Sequence, residues 1–437
     1  MKCFSREMIE EIKSENNIQN IVSQYVRLTS KGNHFIGICP FHNEKTPSFT
    51  VYPQKGSFYC FGCGVGGDVI TFIQHVENLN YTDAVKLLAE RSGIRTTKDD
   101  ESYYVKMKNK IMDINKEATR FYHSYLKSEN GKWALKYLID RGLTPQTIEQ
   151  FELGCAPKDW NQLISYLKNK GYTEYEIEKA NLASKSQSTG RYFDRFRNRI
   201  IFPIKNSRGS VIAFSGRKKP DEKDSAKYIN SADTLAYQKR YNLFGIDVAK
   251  NHCDKGIIIV EGNMDVISLH QAGFKNVVAP LGTSLTDEQI QLITKYTKEI
   301  ILLFDADLAG KKAVERAIEL LNNRNILVRV VELPDAKDPD EFIRKSGADN
   351  FKNLIDGSVC DIEYKLLCIE KEIDVNSDTS KLKYLSEAVK IIASSNDVLA
   401  RDIYIGRLSE KYSVSRTALT EKVEEILKNM EENKDEL

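Results

Sequence analysis

Long apolar runs are missing from this sequence. The longest, such as 257–260 and 300–304, fall far short of the roughly 20 residues that cross a bilayer, so no membrane span is expected. The N-terminus has no apolar leader, so no secretory signal is expected either. The closing Lys434-Asp435-Glu436-Leu437 matches an ER-retention tetrapeptide, which without such a signal reads as chance. Cysteine is sparse. Eight are scattered over 437 residues, as Cys3, Cys39, Cys60, Cys63, Cys155, Cys253, Cys360 and Cys368. That excludes a disulfide framework and makes a reducing, cytoplasmic compartment the expectation. There is no internal repeat and no low-complexity tract. Net charge is nearly absent at +2, but it is unevenly spread. Positions 185–245 hold 14 Lys and Arg against 5 Asp and Glu, so a basic block is balanced by an acidic remainder. Such a block suits a polyanion, or is simply a solvated face.

What is present is 41% hydrophobic and 29% charged, which fits a soluble globular protein and excludes wholesale disorder. The length suggests about three domains, and the patterning marks out four regions. Residues 1–97 read as helical (5–25), then short strands around a Cys/His cluster, then helical again (68–91). Positions 96–102 are polar and acidic and read as a linker. Residues 103–250 open with amphipathic helices at 107–126 and 133–140. Two β-like runs follow, 200–204 and 210–214, with turn residues between them, which predicts a hairpin. Residues 255–350 alternate. Strands are predicted at 256–260, 276–279, 299–304 and 326–333, with helices at 264–272, 287–295 and 308–322. This is the pattern of βα units with a mainly parallel sheet, whose chemistry gathers at the carboxyl ends of the strands. Residues 357–437 read as helical throughout. The expected fold class is therefore α/β and multi-domain.

Cys39-Pro40-Phe41-His42 and Cys60-Phe61-Gly62-Cys63 are two knuckles of two ligands each. Together they fill the tetrahedron that Zn²⁺ prefers, so one structural zinc is expected on Cys39, His42, Cys60 and Cys63. His34 and His75 lack that spacing. Phe35, Phe41, Phe49, Tyr52, Phe58, Tyr59 and Phe61 are interleaved with Lys31, Lys45 and Lys55. That mixture suits single-stranded nucleic acid, although any single ring reads better as part of a small core.

Three acidic motifs fall where strands of the third region should end. They are Glu261 with Asp265, Asp305 with Asp307, and Asp338 with Asp340. So much negative charge in one crevice is unfavourable without cations. Two or more Mg²⁺ or Mn²⁺ ions, bridging carboxylates to phosphates, would offset it. Expected ligands are Glu261, Asp305, Asp307, Asp338 and Asp340, with Asp265 beside them. The alternative is helix N-capping by Asp305, Asp307 and Asp338. Gly282-Thr283-Ser284 could present amides to phosphate, or could be an ordinary capping turn.

Arg195-Phe196-Arg197-Asn198-Arg199 enters the hairpin, and strand alternation would put Arg195, Arg197 and Arg199 on one face. Arg217, Lys227 and Lys239 follow. A face of this kind calls for a triphosphate or a nucleic-acid backbone.

In order, the zinc knuckles, the Arg-Phe-Arg-Asn-Arg-Ile-Ile-Phe-Pro run, Phe214-Ser215-Gly216-Arg217 and Lys227-Tyr-Ile-Asn-Ser are followed by the acidic motifs. This resembles the bacterial DnaG-type DNA primase family over about residues 5–425. The resemblance implies a zinc ribbon that binds template, a basic part of an RNA polymerase core, a TOPRIM metal-binding sheet and C-terminal helices. It implies Asp305, Asp307 and Asp338 as principal Mg²⁺ ligands and Glu261 in acid–base work. It also implies that Arg195, Arg197, Arg199, Arg217, Lys227 and Lys239 hold template and nucleotide. Asn263, Ser215 and Arg240 depart from the family's usual residues and leave the acidic set intact. The helix ending near 427 looks like the close of the polymerase core, so the family's helicase-docking domain is expected to be missing or shortened.

The activity so implied is synthesis of short RNA primers on single-stranded DNA from ribonucleoside triphosphates, with release of diphosphate. The partners would be the template, the nucleotides, the RNA–DNA hybrid and the replicative helicase, with the chain a monomer. Two other classes share parts of the pattern. One is a TOPRIM topoisomerase or nuclease, which has the acidic set but cuts DNA. The other is a non-catalytic single-strand binder.

Overall fold

The structure is a computed structural model. It describes residues 4, 6–42, 44, 46–77, 79, 81–94, 98–220, 222, 226–282, 284–321, 326–373, 377–395 and 397–435. Cys3, Lys45 and Thr283 lie outside these. The chain divides into two compact units, Lys106–Tyr364 and Met1–Val105 with Lys365–Leu437.

The N-terminal segment is a five-stranded antiparallel ribbon whose strands pair in chain order. They are Thr29–Lys31, His34–Gly37, Phe49–Tyr52, Ser57–Cys60 and Gly66–Asp68. The helical stretch expected at 5–25 is two helices, Arg6–Glu15 and Ile18–Val22. Asn17 breaks it, because its side chain accepts from the amides of Gln19 and Asn20 and starts a new helix. The stretch at 68–91 also divides, into Val69–Val76, capped by Asp68, and Tyr81–Arg91. Phe49, Phe58 and Phe72 are buried together, with the Phe49 and Phe58 rings stacked at 5.2 Å. Those rings are core. Tyr59 and Phe61 are exposed, Phe61 at 68%.

The expected linker is corrected from residue 98 onward. A single helix runs Lys98–Leu126. Beyond it, a four-stranded antiparallel sheet has the order Tyr228–Asn230, Val211–Lys218, Arg199–Lys205, Gly154–Ala156. The predicted hairpin forms its centre. The edge strand Gly154–Ala156 was not anticipated, since three residues carry too little alternation to signal a strand.

The second sheet has the order Val277–Val278, Ile257–Ile259, Glu299–Leu302, Leu327–Val330, Val359–Cys360. The first four strands are parallel, as expected. The last is antiparallel, which corrects the all-helical reading of 357–437. Ile259 pairs with Leu302, and Leu302 with Val330, so three carboxyl ends are in register. Helices Asn263–Gln271, Asp287–Thr294 and Leu308–Leu321 pack between. Every residue from Asn263 to His270 is buried, as for a helix enclosed on all sides. Pro339–Asp356 follows and is broken at Gly347, whose φ is 78°. One apolar core joins this sheet to the hairpin through Ile200, Phe202, Ile258 and Ile301. Helices Asp378–Ala393, Val398–Tyr412 and Arg416–Asp435 close the chain.

Candidate metal centres and nucleic-acid interface

The two knuckles meet in the ribbon. One ligand atom from each of Cys39, His42, Cys60 and Cys63 lies within 4.8 Å of the others. The two sulfurs of Cys39 and Cys63 are 3.9 Å apart, and Cys60 Sγ is 3.8 Å from His42 Nδ1. The amides of Phe41 and Cys63 point at Cys39 Sγ and Cys60 Sγ. A side chain at Gly62 would strike the His42 ring at 2.6 Å, so only glycine lets the knuckles close. Four soft donors in this arrangement fit zinc. His34 and His75 stand outside the cluster, against Tyr52 and Phe41.

Sequence reasoning passed over Glu44. Its carboxylate accepts from the amides of Cys39 and Ser48 and from the Ser48 hydroxyl, and faces His42 Nε2 at 3.3 Å. Burial pushes this carboxyl up, but the hydrogen bonds from Ser48 and Cys39 outweigh it and leave the group below its ordinary range. An acid two positions after a histidine is too common to stand out in sequence.

In the second sheet, the loops after the parallel strands bring the acids to one edge. Asp305's amide donates to Glu261 Oε1 at 3.1 Å. Asp307 Oδ1 accepts from the amides of Ala309 and Gly310 at 2.9 and 2.8 Å, and Asp338 Oδ1 from that of Glu341 at 2.7 Å. The metal and capping readings are thus compatible, since each cap engages one oxygen and leaves the other. Gly310 is required, because a Cβ there would sit 2.1 Å from the Asp305 carbonyl. Burial, then the charges of Glu261, Asp338 and Asp307, push Asp305 up to about 7, partly offset by Lys227. Burial, then Asp338 and Asp305, push Asp265 up to about 8. Among the described residues the zinc cluster alone brings three or more ligand atoms within 4.8 Å, so the acids form a looser ring. Asp305 Oδ1 is nonetheless buried and, among the described residues, has no hydrogen-bond partner. A hard oxygen donor without a partner, amid like charges, fits a divalent cation.

Asp340 faces elsewhere. It is 0% exposed; its Oδ2 is held by Arg141 and by Arg344 at 3.1 Å, and its Oδ1 by Ser268. Its amide donates to Asp265 Oδ1 at 3.1 Å. Arg141 lies 199 residues from Asp340, and no local signal marks it. Beside Glu261 a cleft of about 340 Å³ opens, lined by Gly282, Ser284, Phe304 and Arg316.

The alternation expected for Arg195, Arg197 and Arg199 is corrected. Residues 195–198 form a bend between strands, with Asn198 at φ 51°. Arg199 is buried and donates to the carbonyls of Gly216 and Ala226. Arg195 donates to the Asn230 carbonyl, and its Nε is buried without a partner among the described residues. Asn230 in turn donates to the Leu281 carbonyl, tying the hairpin sheet to the Gly282 turn. The Arg197 guanidinium lies 3.7 Å from the centre of the Trp160 ring, which is 61% exposed. A lone tryptophan in a loop gave no signal in sequence. Arg217 stacks on Tyr137 at 4.3 Å. Lys227 is exposed and close enough to Asp305 to act on its charge. Lys239 is half-buried in a short 3₁₀ turn, Lys239–Tyr241.

Comparison with known proteins covers most of the chain. Residues 4–104 match the CHC2 zinc finger, 121–250 the N-terminal domain of the DNA primase catalytic core, and 258–343 a Toprim-like domain. Residues 362–417 match the DnaB-helicase binding domain of primase, so of the expectation that this part is missing or shortened, its being missing is corrected. The DNA primase of Clostridium acetobutylicum is 40% identical over 425 residues, covering 96% of this chain and 70% of the relative. The crystal structure of the zinc-binding and RNA polymerase domains of Aquifex aeolicus primase is 36% identical. It covers 94% of this chain and 98% of that one, with a TM-score of 0.59. The RNA polymerase domain of Mycobacterium tuberculosis primase DnaG, solved with a double-stranded DNA oligomer bearing a 6-nucleotide overhang, is 29% identical. It covers 69% of this chain and 97% of that one, with a TM-score of 0.64. The chain belongs to the DnaG-type DNA primase family, whose members are nucleotidyltransferases that make primers for DNA replication.

Proposed function

We propose that primer synthesis takes place at the acidic edge of the Toprim sheet. Two or more Mg²⁺ or Mn²⁺ ions are held there by Glu261, Asp305, Asp307 and Asp338, with Asp265 beside them. When bound, such ions supply charge neutralisation for an attacking 3′-hydroxyl and a departing diphosphate. The observation that carries this reading is the buried Asp305 oxygen, without a hydrogen-bond partner among the described residues, amid the charges of Glu261, Asp338 and Asp307. Asp340 differs from the other acids, since its oxygens are already engaged by Arg141, Arg344 and Ser268. It serves as the anchor that presents Asp265 and Arg141. The cleft beside Glu261 leaves room for the incoming ribonucleotide.

Single-stranded template runs along the basic face. Arg195, Arg197, Arg217, Lys227 and Lys239 supply charge, and Trp160 gives a base a ring to stack on. Arg199 acts from within, bracing the hairpin that carries Arg217. In the ribbon, zinc on Cys39, His42, Cys60 and Cys63 sets the surface from which Tyr59 and Phe61 project. The C-terminal helices dock on the replicative helicase. The start of helix Val398–Tyr412 exposes Val398, Leu399 and Ile403 in support of that role. The chain works as a cytoplasmic monomer, and among the described residues no helix is long and apolar enough to cross a membrane.

The test supplies single-stranded DNA, four ribonucleotides and Mg²⁺. Short RNA is expected from the unsubstituted chain, and none from Asp305→Asn with Asp307→Asn. Cleaved DNA without RNA would favour a nuclease, and undiminished synthesis by the double variant would refute the assignment.

A further inference from the structure

We propose that Glu44 is the positioning residue of the zinc site, fixing which nitrogen of His42 meets the metal and holding the first knuckle closed. The proposal rests on the reading of Cys39, His42, Cys60 and Cys63 as zinc ligands. A neutral imidazole carries one ring proton, and the nitrogen without it is the one that can bind metal. His42 Nδ1 faces the cluster, 3.8 Å from Cys60 Sγ. His42 Nε2 faces Glu44 Oε2 at 3.3 Å. A carboxylate only accepts, so Glu44 selects the tautomer with its proton on Nε2 and leaves the Nδ1 lone pair for zinc. Carboxylate partners of this kind orient ligand histidines in metal sites generally.

Glu44 does more than touch the ring. Its Oε1 accepts from the amide of Cys39 at 2.6 Å and from that of Ser48 at 3.2 Å. The Ser48 hydroxyl donates to Oε2 and lies 3.2 Å from Cys60 Sγ. One side chain thus links three of the four ligands, Cys39 and His42 of the first knuckle directly and Cys60 of the second through Ser48. Little of the Glu44 side chain, 9%, is open to solvent, so water cannot readily replace these bonds.

The first test reads the tautomer in the zinc-loaded full chain. Labelling with ¹⁵N-histidine gives six imidazole rings to assign. His42 is expected to show a metal-bound Nδ1 and a protonated Nε2, and coordination through Nε2 would overturn the proposal. The second test is Glu44→Gln. Glutamine can still accept from the two amides, but its NH₂ faces Nε2 and favours the wrong tautomer. Competition with a chromophoric chelator should show zinc held about 10- to 100-fold more weakly. Affinity within twofold of the unsubstituted chain would refute the idea. In a His42→Cys background the same substitution should lose most of its effect. A full effect there would mean that Glu44 merely braces the loop, and would overturn the histidine-positioning role. Metal analysis separates the two readings. A purified chain without zinc refutes the zinc reading itself, whereas one zinc per chain with an indifferent Glu44→Gln refutes only the role of Glu44.

Discussion

Asp340 and Asp338 stand two positions apart in one motif, yet their environments differ. Asp338 is half-buried and caps a helix with one oxygen, and among the described residues its other oxygen has no hydrogen-bond partner. Asp340 is enclosed, with two guanidinium groups and a hydroxyl on its carboxylate. Removing one partner of a buried charge pair is costly because the other charge is left without compensation. Both arginines here keep some solvent contact, which softens that cost. Asp340→Asn should therefore cost about 2–3 kcal/mol of stability, read by urea unfolding. A variant as stable as the unsubstituted chain would show that the arginines gain nothing from the pair. In sequence the two aspartates look like equal members of a carboxylate pair. Arg141 and Ser268, which tell them apart, arrive from distant segments.

Helix Asn263–Gln271 carries Asp265, and His270 fastens its far end. The His270 ring donates to the Val277 carbonyl at 2.9 Å, tying the helix to the neighbouring strand. Burial, helped by the charges of His252 and Lys275, pushes this imidazole down to about 4 despite that bond. The fold therefore favours the neutral ring. Its contribution is complete above the ordinary histidine value of 6.5 and is lost as pH falls from there towards 4. Up to about 3 kcal/mol is at stake over that window. Urea unfolding at pH 7 and pH 5 should show the loss, and His270→Gln should flatten it. An equal slope in the variant would place the pH dependence elsewhere.

The βα elements of this region were legible in the sequence within three residues at each end, the largest miss being the strand expected at 326–333, which ends at Val330. Their strands are short, mostly apolar and separated by helices of regular period, and both signals are local. The knuckle spacing of the zinc ligands was legible for the same reason. What could not be read depends on geometry between distant residues. Asn198 turns the backbone to a positive φ, so three arginines that alternate in sequence do not share a face. Trp160 gains its meaning only when Arg197 is laid against it, and Glu44 only when the ribbon closes round it.

Across the whole chain, four family matches follow one another and the polar chemistry is divided among them. The C-terminal part supplies no member of the acidic set, so its role should separate from synthesis. Leu399→Ser with Ile403→Ser should weaken capture of the replicative helicase at least tenfold and leave helicase-free primer synthesis unchanged. Equal capture by the variant would move the docking face elsewhere. Primer synthesis at the acidic edge requires that edge to hold divalent cations, which Mn²⁺ titration followed by electron paramagnetic resonance measures directly. The unsubstituted chain should bind at least two Mn²⁺ ions, and Asp305→Asn should lose at least one of them. An unchanged Mn²⁺ isotherm in Asp305→Asn would contradict the account.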